Sequence, residues 1–396
     1  MTLPSSPPSF DLLRLRARAL VPQLRARAAE CEALRRVPDA TIAELHTSGI
    51  FRMLQPKRVG GSELPYRAIV ELGAILAEGC GSTSWVVTNL ASHHWMLAMW
   101  PKEAQDQVWG PSPDHLVGSA LVFPGGKAVA ADGGYRLSGR WPFSSGVDCS
   151  QWNFVGAIVH DARDKPIEQR IFLVEARDYR IIDTWHATGL RGSGSNDVEM
   201  RDVFVPTHRT LPLAAMASGG APGSAINPAP LYRLPVLGLF AFVVGGVSLG
   251  LARGATVDYT KSMKTRIATY SQHRLAEFGN LQLKIGEASA LADTGEALML
   301  KGCDEAMRLA EEGAAPSIEQ KARWRRDGAY AASLCTEAVN LLFAATGGGG
   351  VFLDQPIQRA FRDAHAANAH HALSWDVNGP QWGRLALGLP AEAMTL

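Results

Sequence analysis

The spacing of apolar residues changes twice along the chain. In residues 1–113 apolar positions recur every three or four residues, a period that predicts α-helices. In residues 114–212 short β-prone runs alternate with turn signals such as Gly133-Gly134, which predicts an antiparallel sheet. In residues 213–396 helical spacing returns, after a stretch at 213–233 rich in Ala, Gly, Ser and Pro that predicts a mobile loop. We therefore expect three domains with these boundaries, in the α+β class.

Two predictions in the first domain concern helix ends. The run TIAELHTSGIFRMLQP, residues 41–56, predicts a helix that stops at Gly49 and is followed by a short extended segment. The run GCGSTS at 79–84 interrupts a second helical pattern, and Ser82 or Thr83 can cap the helix that follows. Both segments are therefore expected to mark helix boundaries.

In the C-terminal part, apolar spacing predicts four long helices, at 236–262, 272–312, 318–346 and 356–378. The stretch from Leu234 to Ala252 is apolar and uncharged, which raises the possibility of a membrane span. It contains Pro235 and several glycines, and no second such segment exists, so we interpret it as a buried core helix. Long helices with more apolar surface than a monomer can bury also suggest oligomerisation.

Composition narrows the function classes. Of 396 residues, 46% are hydrophobic and 19% charged, which predicts a folded chain, and the net charge of +1 gives no reason to expect nucleic acid or an anionic membrane as partner. Five cysteines lack zinc-ligand spacing, and their odd number argues against a disulfide framework. No secretory signal is visible at the N-terminus. These features favour a reduced, cytoplasmic setting.

The segment FRDAHAANAHHALSWD, residues 361–376, holds three histidines, His365, His370 and His371. If the segment is one helix, none of these pairs has the i,i+3 or i,i+4 spacing that two metal ligands on a helix require, so we predict no metal site. On that helix His370 and His371 differ by about 100°, and only one can face a pocket squarely. A solvated helix face and a general base both remain open interpretations.

Other motifs point to ligand binding without identifying the ligand. The run GRWPFSSGVD, residues 139–148, ends a strand with backbone N–H groups and two hydroxyls, which suits the polar edge of a planar ligand. The GGGG run at 347–350 permits close approach of a ligand to the backbone. The sequence lacks a Walker loop, a GxGxxG fingerprint after a strand and a GxSxG elbow, so a Rossmann-type nicotinamide site and a Ser-His-Asp hydrolase are not supported.

In combination, several motifs resemble a known family. They are GGSELPY, GSTSW, ASHHWMLAMW, GRWPFSSGVDCSQW, GLRGSGSNDV and FRDAHAANAHHALSWD, within residues 15–390. The sequence resembles the flavin-dependent monooxygenases of the acyl-CoA dehydrogenase fold, the oxygenase components of two-component aromatic hydroxylases, and especially the 3-hydroxy-9,10-secoandrostatriene-dione hydroxylases. The resemblance implies an N-terminal helical domain, a central β-barrel-like domain and a C-terminal four-helix bundle, assembled as a homotetramer.

The resemblance also implies a flavin site between the sheet and the bundle. The residues that would line the isoalloxazine are Trp85, Ser119, Phe143, Ser144 and Ser145. Arg266 would meet the flavin phosphate from another subunit, and the residues that would complete the pocket are Gly348, Gly349, His370 and His371. Each of these has a plainer interpretation, in which Trp85 and Phe143 belong to the core, Ser119 is a strand residue and Arg266 forms a surface ion pair.

The activity implied by the family is hydroxylation of a hydrophobic, phenolic aromatic compound through a C4a-hydroperoxyflavin, with reduced flavin (FMNH2 or FADH2) and O2 as reactants. In this scheme Ser145 hydrogen-bonds near flavin N5, His370 deprotonates or polarises the phenol, and His93 is the second polar group, with His94 as its less favoured substitute. The apolar helix at 236–252 and the loop at 213–233 would shape the substrate end. Because no nicotinamide motif is present, a separate NAD(P)H:flavin reductase should supply the flavin.

Three alternatives stay open. An acyl-CoA dehydrogenase needs a glutamate base, and no glutamate lies between Arg362 and Pro390, although some members carry it on a different helix. A non-catalytic flavin-binding oligomer could keep the same fold. Oxygenation at nitrogen or sulfur could use the same site.

Overall fold

The N-terminal part is helical. The structure is a computed structural model and describes residues 7–217, 220–268 and 272–391. Its first helices are α1 Phe10–Ala26, α2 Ala28–Leu34, α3 Asp39–Ser48, α4 Arg67–Ala77, α5 Gly81–Leu97 and α6 Lys102–Trp109. Every residue of α5 is buried, so this helix runs through the interior and can present side chains to a site inside the protein.

The two predictions about helix ends had different outcomes. Helix α3 ends at Gly49 as predicted, because Gly49 adopts φ +78°, a left-handed conformation that favours glycine. The extended segment predicted after it is wrong, since Ile50–Arg52 form a 3₁₀ turn. The predicted cap of α5 is also wrong. Helix α5 begins at Gly81, and the Ser82 hydroxyl instead accepts a hydrogen bond from the backbone N–H of Gly192, a tertiary contact that sequence spacing does not reveal.

Within the described residues, eight strands form one sheet. They are β1 Val117–Ala120, β2 Gly126–Ala131, β3 Gly134–Ser144, β4 Trp152–His160, β5 Pro166–Glu175, β6 Arg180–Ile182, β7 Asn196–Pro206 and β8 Thr210–Pro212. The order is β6-β7-β3-β2-β4-β5-β8, and β1 also pairs with β4. The sheet is mixed, which corrects the prediction that it is antiparallel: the chain leaves β3 through residues 145–151 and returns beside β2, so that β4 runs parallel to both β1 and β2.

The C-terminal part consists of α7 Val236–Thr265, α8 Gly279–Glu311, α9 Ile318–Thr346, α10 Pro356–Asn368 and α11 Trp375–Ala386. Helix α7 is long and apolar enough to cross a membrane, and 83% of its most apolar window is buried inside the protein, in agreement with the predicted core helix. Its glycines allow this packing: a Cβ at Gly250 would lie 2.1 Å from the carbonyl oxygen of Ala74, so α7 and α4 approach backbone to backbone.

Other predicted elements of this part need correction. Helix α8 begins at Gly279, whereas position 272 was predicted. The predicted helix at 356–378 is two helices, and residues 369–374 between them form turns. The loop at 213–233 contains three short 3₁₀ turns and includes positions 218–219, which lie outside the described residues; its mobility stays a prediction.

Candidate active site

The end of β3 is distorted where a ligand-binding turn is predicted. The register between β3 and β7 shifts between Trp141 and Ser144, and Phe143 adopts φ +68°, a conformation that costs a large aromatic residue free energy. Phe143 is 62% exposed, and its ring meets Trp185 edge to face at 6.3 Å between centroids. A strained backbone that holds an aromatic ring out of the core is a feature of binding sites.

A row of hydrogen-bonding groups lies beside this turn. The indole Nε1–H of Trp85 donates to the hydroxyl oxygen of Ser145 at 3.0 Å. The Ser145 hydroxyl lies 2.8 Å from that of Ser195, which in turn lies 2.7 Å from that of Ser193. The structure therefore brings the predicted residues Trp85 and Ser145 into direct contact and adds two hydroxyls that had no predicted role.

The neighbouring strands hold two more predicted serines. Ser144 is buried, and its hydroxyl accepts a hydrogen bond from the side-chain amide of Asn153 at 2.9 Å. Ser144 is therefore committed to the sheet, whereas Ser145 contacts the indole. Ser119, on β1, is half-buried and opposite Phe154 of β4 in the parallel register. Ser119 thus lies next to Phe154, whose ring packs against His93.

His370 lies in the turn between α10 and α11. Its Nδ1 accepts a hydrogen bond from the backbone N–H of Ala372 at 3.1 Å. An amide can only donate, so the proton of the neutral imidazole is on Nε2, which has no hydrogen-bond partner within residues 7–217, 220–268 and 272–391. The ring packs against Trp85 edge to face at 5.5 Å and stacks on Phe240 of α7 at 6.0 Å. Burial, and secondarily His371, lowers the pKa of His370 to about 4.

A buried amide holds this turn in place. The side-chain amide of Asn378 donates to the carbonyl oxygens of His371, Ala372 and Ser374, at 3.0, 3.3 and 2.9 Å. Its oxygen accepts from the guanidinium of Arg325 at 2.9 Å. Asn378 therefore supports the turn that carries His370.

His93 has the opposite arrangement of protons. It is fully buried on α5, and its Nδ1 lies 2.5 Å from the carbonyl oxygen of Val117. A carbonyl can only accept, so Nδ1 carries the proton and Nε2 has a free lone pair. This Nε2 atom is buried without a hydrogen-bond partner in the described part of the chain. Burial lowers the pKa of His93 to about 4, although the bond to Val117 opposes that shift. The ring also meets Phe154 edge to face at 6.0 Å.

The remaining histidines have less direct relations to this site. His94 is buried, and its Nδ1 accepts from the indole of Trp109 at 3.1 Å, while burial lowers its pKa to about 3. His371 is exposed, and its pKa is lowered by partial burial and then by Arg325. The His365 ring is exposed and lies 2.9 Å from the amide oxygen of Asn340. Among the described residues, no cluster of His, Cys, Asp and Glu could hold a metal ion.

Three predicted cofactor residues lie far from His370 in the same chain. The guanidinium of Arg266 donates to the carbonyl oxygen of Thr346 at 3.4 Å and borders Gly349. Arg266, Gly348 and Gly349 are all exposed. Arg266 follows the last residue of α7, whereas Phe240, which stacks on His370, is near its beginning; about 40 Å of helix, at roughly 1.5 Å per residue, separates them. Phe240 and the group formed by Arg266, Gly348 and Gly349 therefore lie at opposite ends of α7.

A cavity of about 240 Å³ lies near the start of α7. The loop residues Leu213, Ala214 and Ala217 line it, together with Leu237, one helical turn before Phe240. Most of the lining is apolar, and it also includes Glu168, Gln169 and Lys321. Residues of both segments predicted to shape the substrate end line this cavity, and that role stays a prediction.

Sequence reasoning missed several residues of this site. Ser193 and Ser195 belong to the quoted run GLRGSGSNDV, whose two serines were a visible signal that received no role. Phe240 was considered only as part of an apolar helix. The partnership of Asn153 with Ser144 had no signal in the sequence, because it depends on strand pairing.

Comparison with known proteins identifies the family and the fold. Residues 9–112 match the acyl-CoA dehydrogenase N-terminal domain, and residues 242–375 match the acyl-CoA dehydrogenase C-terminal domain. The chain is 37% identical over 375 residues to the FADH(2)-dependent resorcinol hydroxylase, oxygenase component, of Rhizobium sp. (strain MTP-10005), which covers 92% of this chain and 91% of that protein.

Two solved structures are similar over nearly the whole chain. The 3-HSA hydroxylase from Rhodococcus sp. RHA1 has a TM-score of 0.93 and 34% identity, and the match covers 97% of this chain and 99% of that one. XiaF from Streptomyces sp., solved in complex with FADH2 and glycerol, has a TM-score of 0.92 and 30% identity, covering 98% of this chain and 98% of that one.

The fold and the two matched domains define an enzyme of the acyl-CoA dehydrogenase fold. Within that class, the chain belongs to the family of flavin-dependent monooxygenases, as an oxygenase component. The family resemblance inferred from the motifs is therefore confirmed.

Proposed function

We propose that this enzyme uses reduced FAD or FMN and O2 to hydroxylate a hydrophobic phenol, with the flavin supplied by a separate NAD(P)H:flavin reductase. The observation that carries the proposal is a pair of neutral imidazoles with complementary free atoms, the Nε2 lone pair of His93 and the Nε2–H of His370. The names of similar proteins support it, since they include hydroxylases of resorcinol and p-hydroxyphenylacetate.

The turn after β3 fits a flavin ring. Phe143 offers an exposed aromatic surface, and Ser145, whose oxygen accepts from the Trp85 indole, offers a hydroxyl at its edge. His370 packs edge to face on Trp85, and His371 follows it in the turn before α11. Reduced flavin, when bound, reacts with O2 and supplies the oxygen atom that enters the ring. The buried surroundings of Trp85 limit access of water to that reaction.

We assign the proton-accepting role to His93. Its Nε2 lone pair can accept a hydrogen bond from the phenol O–H, which polarises the ring toward electrophilic oxygen transfer. Its lowered pKa keeps it neutral, and hence able to accept, over the whole physiological range. His93 lies about 12 Å along α5 from Trp85, at roughly 1.5 Å per residue, so substrate and flavin edge are contacted at different points of one helix.

The role of His370 changes accordingly. Because its Nδ1 is occupied by the Ala372 N–H, its free atom is a donor, and the sequence-based role of general base does not suit this tautomer. We assign His370 to donate from Nε2 to an oxygen that gains negative charge, on the phenol or on the bound flavin. Ser119 and Ser144 form part of the walls of the same site. Ser119 lies beside Phe154, whose ring packs on His93.

The separation along α7 supports a homotetramer with shared sites. Arg266, Gly348 and Gly349 are exposed, close together and about 40 Å along α7, at roughly 1.5 Å per residue, from the residue that stacks on His370. We propose that they bind the flavin phosphate of a neighbouring subunit. The sheet between Val117 and Pro212 supports a division into domains at 1–113, 114–212 and 213–396, and the five free cysteines support a cytoplasmic location.

A single-turnover experiment tests the proposal. The protein is mixed anaerobically with reduced FAD, or reduced FMN, and a panel of phenols that includes resorcinol, and then with ¹⁸O2. We expect a hydroxylated product that carries one ¹⁸O atom, and a yield at least about 100-fold lower from the methyl ether of the same phenol, which has no proton to give to His93. Equal yields from phenol and ether would contradict the role of His93, and flavin oxidation without product from any phenol would contradict the proposed function.

A further inference from the structure

The row of hydroxyls behind Ser145 has a definite direction. The indole N–H of Trp85 can only donate, so it occupies one lone pair of the Ser145 oxygen. A second contact, at 2.8 Å, joins the Ser145 hydroxyl to that of Ser195. If Ser145 donates to Ser195, its single hydrogen is used within the protein. If Ser195 donates instead, both lone pairs of Ser145 are occupied and its hydrogen is free for a ligand.

We propose that Ser195 is a positioning residue that donates to Ser145 and thereby directs the Ser145 hydroxyl hydrogen toward the bound flavin. This inference rests on the proposed function, because it assigns the free direction of Ser145 to the flavin. The single Ser195 hydrogen is then used, so Ser193, 2.7 Å away, donates to the Ser195 oxygen and completes a row in which each bond strengthens the next.

The backbone around Ser195 is built to hold this arrangement. Gly194, between the two serines, adopts φ +56°, a left-handed conformation that favours glycine, and the two hydroxyls lie 2.7 Å apart. The carbonyl oxygen of Ser193 accepts a hydrogen bond from the N–H of Gly146 at 3.0 Å, which ties this turn to the turn that carries Ser145. Ser193 and Ser195 are both almost fully buried, so water does not compete for their hydroxyls.

A double-mutant cycle tests the proposal by binding, without catalysis. The dissociation constant of oxidised FAD, whose N5 accepts hydrogen bonds, is measured for the unaltered protein, Ser195→Ala, Ser145→Ala and the double variant, together with the visible absorption spectrum of the bound flavin. We expect Ser195→Ala to weaken binding about three- to tenfold, the value of one hydrogen bond, and to shift the spectrum in the same direction as Ser145→Ala. In the Ser145→Ala background the second substitution should change neither quantity.

Two further variants separate positioning from packing. Ser195→Thr keeps the hydroxyl and should restore the unaltered spectrum. Ser150→Ala is the matched control, because Ser150 is also buried and its hydroxyl donates only to the carbonyl of Gly146, at 2.9 Å, in the same turn. It should leave flavin affinity unchanged in both backgrounds.

Two results would overturn the inference alone. One is equal weakening by Ser195→Ala with and without the Ser145 hydroxyl, which would mean that Ser195 acts by supporting the backbone. The other is no change in affinity or spectrum in the unaltered background. Failure of the unaltered protein to bind either flavin, oxidised or reduced, would overturn the proposed function as well, so the two failures are distinguishable.

Discussion

His93 and His370 occupy contrasting regions of the molecule. His93 lies on a fully buried helix, where a carbonyl of a neighbouring strand accepts from its Nδ1–H. His370 lies in a short turn between two helices, where a backbone N–H two residues ahead donates to its Nδ1. Burial lowers the pKa of both rings to about 4, and yet one presents a lone pair and the other a proton. The backbone group next to each ring, and not its pKa, determines its chemistry.

The largest effect is expected from His93→Asn. The asparagine amide can replace Nδ1–H as donor to Val117, but it offers no acceptor at the position of Nε2. We expect product per reduced flavin to fall about 100-fold or more, while reduced flavin is still oxidised. Product is measured by chromatography and flavin oxidation by stopped-flow absorbance.

His94→Asn is the matched control for this variant, since His94 is the next residue of α5 and equally buried. Its Nδ1 is engaged by Trp109, and it should retain most of the product yield. A full yield from His93→Asn would show that the lone pair of His93 does not act in the reaction.

A smaller effect is expected at His370. In His370→Asn, asparagine keeps an acceptor for the Ala372 N–H but removes the donor at Nε2. We expect about a tenfold loss of product yield, because one lost hydrogen bond of about 1.4 kcal/mol corresponds to a tenfold change. Glutamine, whose amide N–H can reach the place of Nε2, should recover most of it. The opposite ranking of the two variants would mean that His370 acts as an acceptor.

The turn itself can be tested through Asn378. Asn378→Ala removes the bonds to three carbonyl oxygens and to Arg325, and we expect the free energy of unfolding to fall by about 2 kcal/mol. The loss of product yield should resemble that of His370→Asn. Asp376→Ala, in the same helix, should change stability by less than about 0.5 kcal/mol. Urea unfolding measures the free energy of unfolding of both variants. Similar losses of stability in Asn378→Ala and Asp376→Ala would contradict the role of Asn378.

The burial of His93 contributes to the pH dependence of stability, together with the buried His94 and His370. Because its pKa is about 4 in the folded state and about 6.5 in the unfolded state, the unfolded protein binds more protons between these values. Stability is therefore lost as pH falls from about 6.5 to 4, by up to about 1.4 kcal/mol per pH unit from this ring.

Asp363, whose pKa burial raises to about 7, acts in the opposite sense in the same range. The test therefore compares the unaltered protein with His93→Asn, in which Asp363, His94 and His370 are all present. Urea unfolding at pH 7, 6 and 5 should give a shallower loss of stability on acidification for the variant. Equal slopes would mean that His93 is not buried in its neutral form.

The sequence predicted the order of helical and strand regions because hydrophobic period reflects secondary structure directly. It did not predict the break at 369–374, because the amide that stabilises that turn, Asn378, acts through tertiary contacts with Arg325. The same limit applies to the site. Motifs identified Trp85 and Ser145, but the direction of each hydrogen bond depends on backbone groups that only folding brings together.

The contrast between the two histidines can be observed directly by neutron diffraction from a crystal of the deuterium-exchanged protein at neutral pH. Nuclear density should place a single deuteron on Nδ1 of His93 and a single deuteron on Nε2 of His370. A deuteron on Nε2 of His93, or on Nδ1 of His370, would contradict the assignment of acceptor and donor on which the proposed mechanism depends.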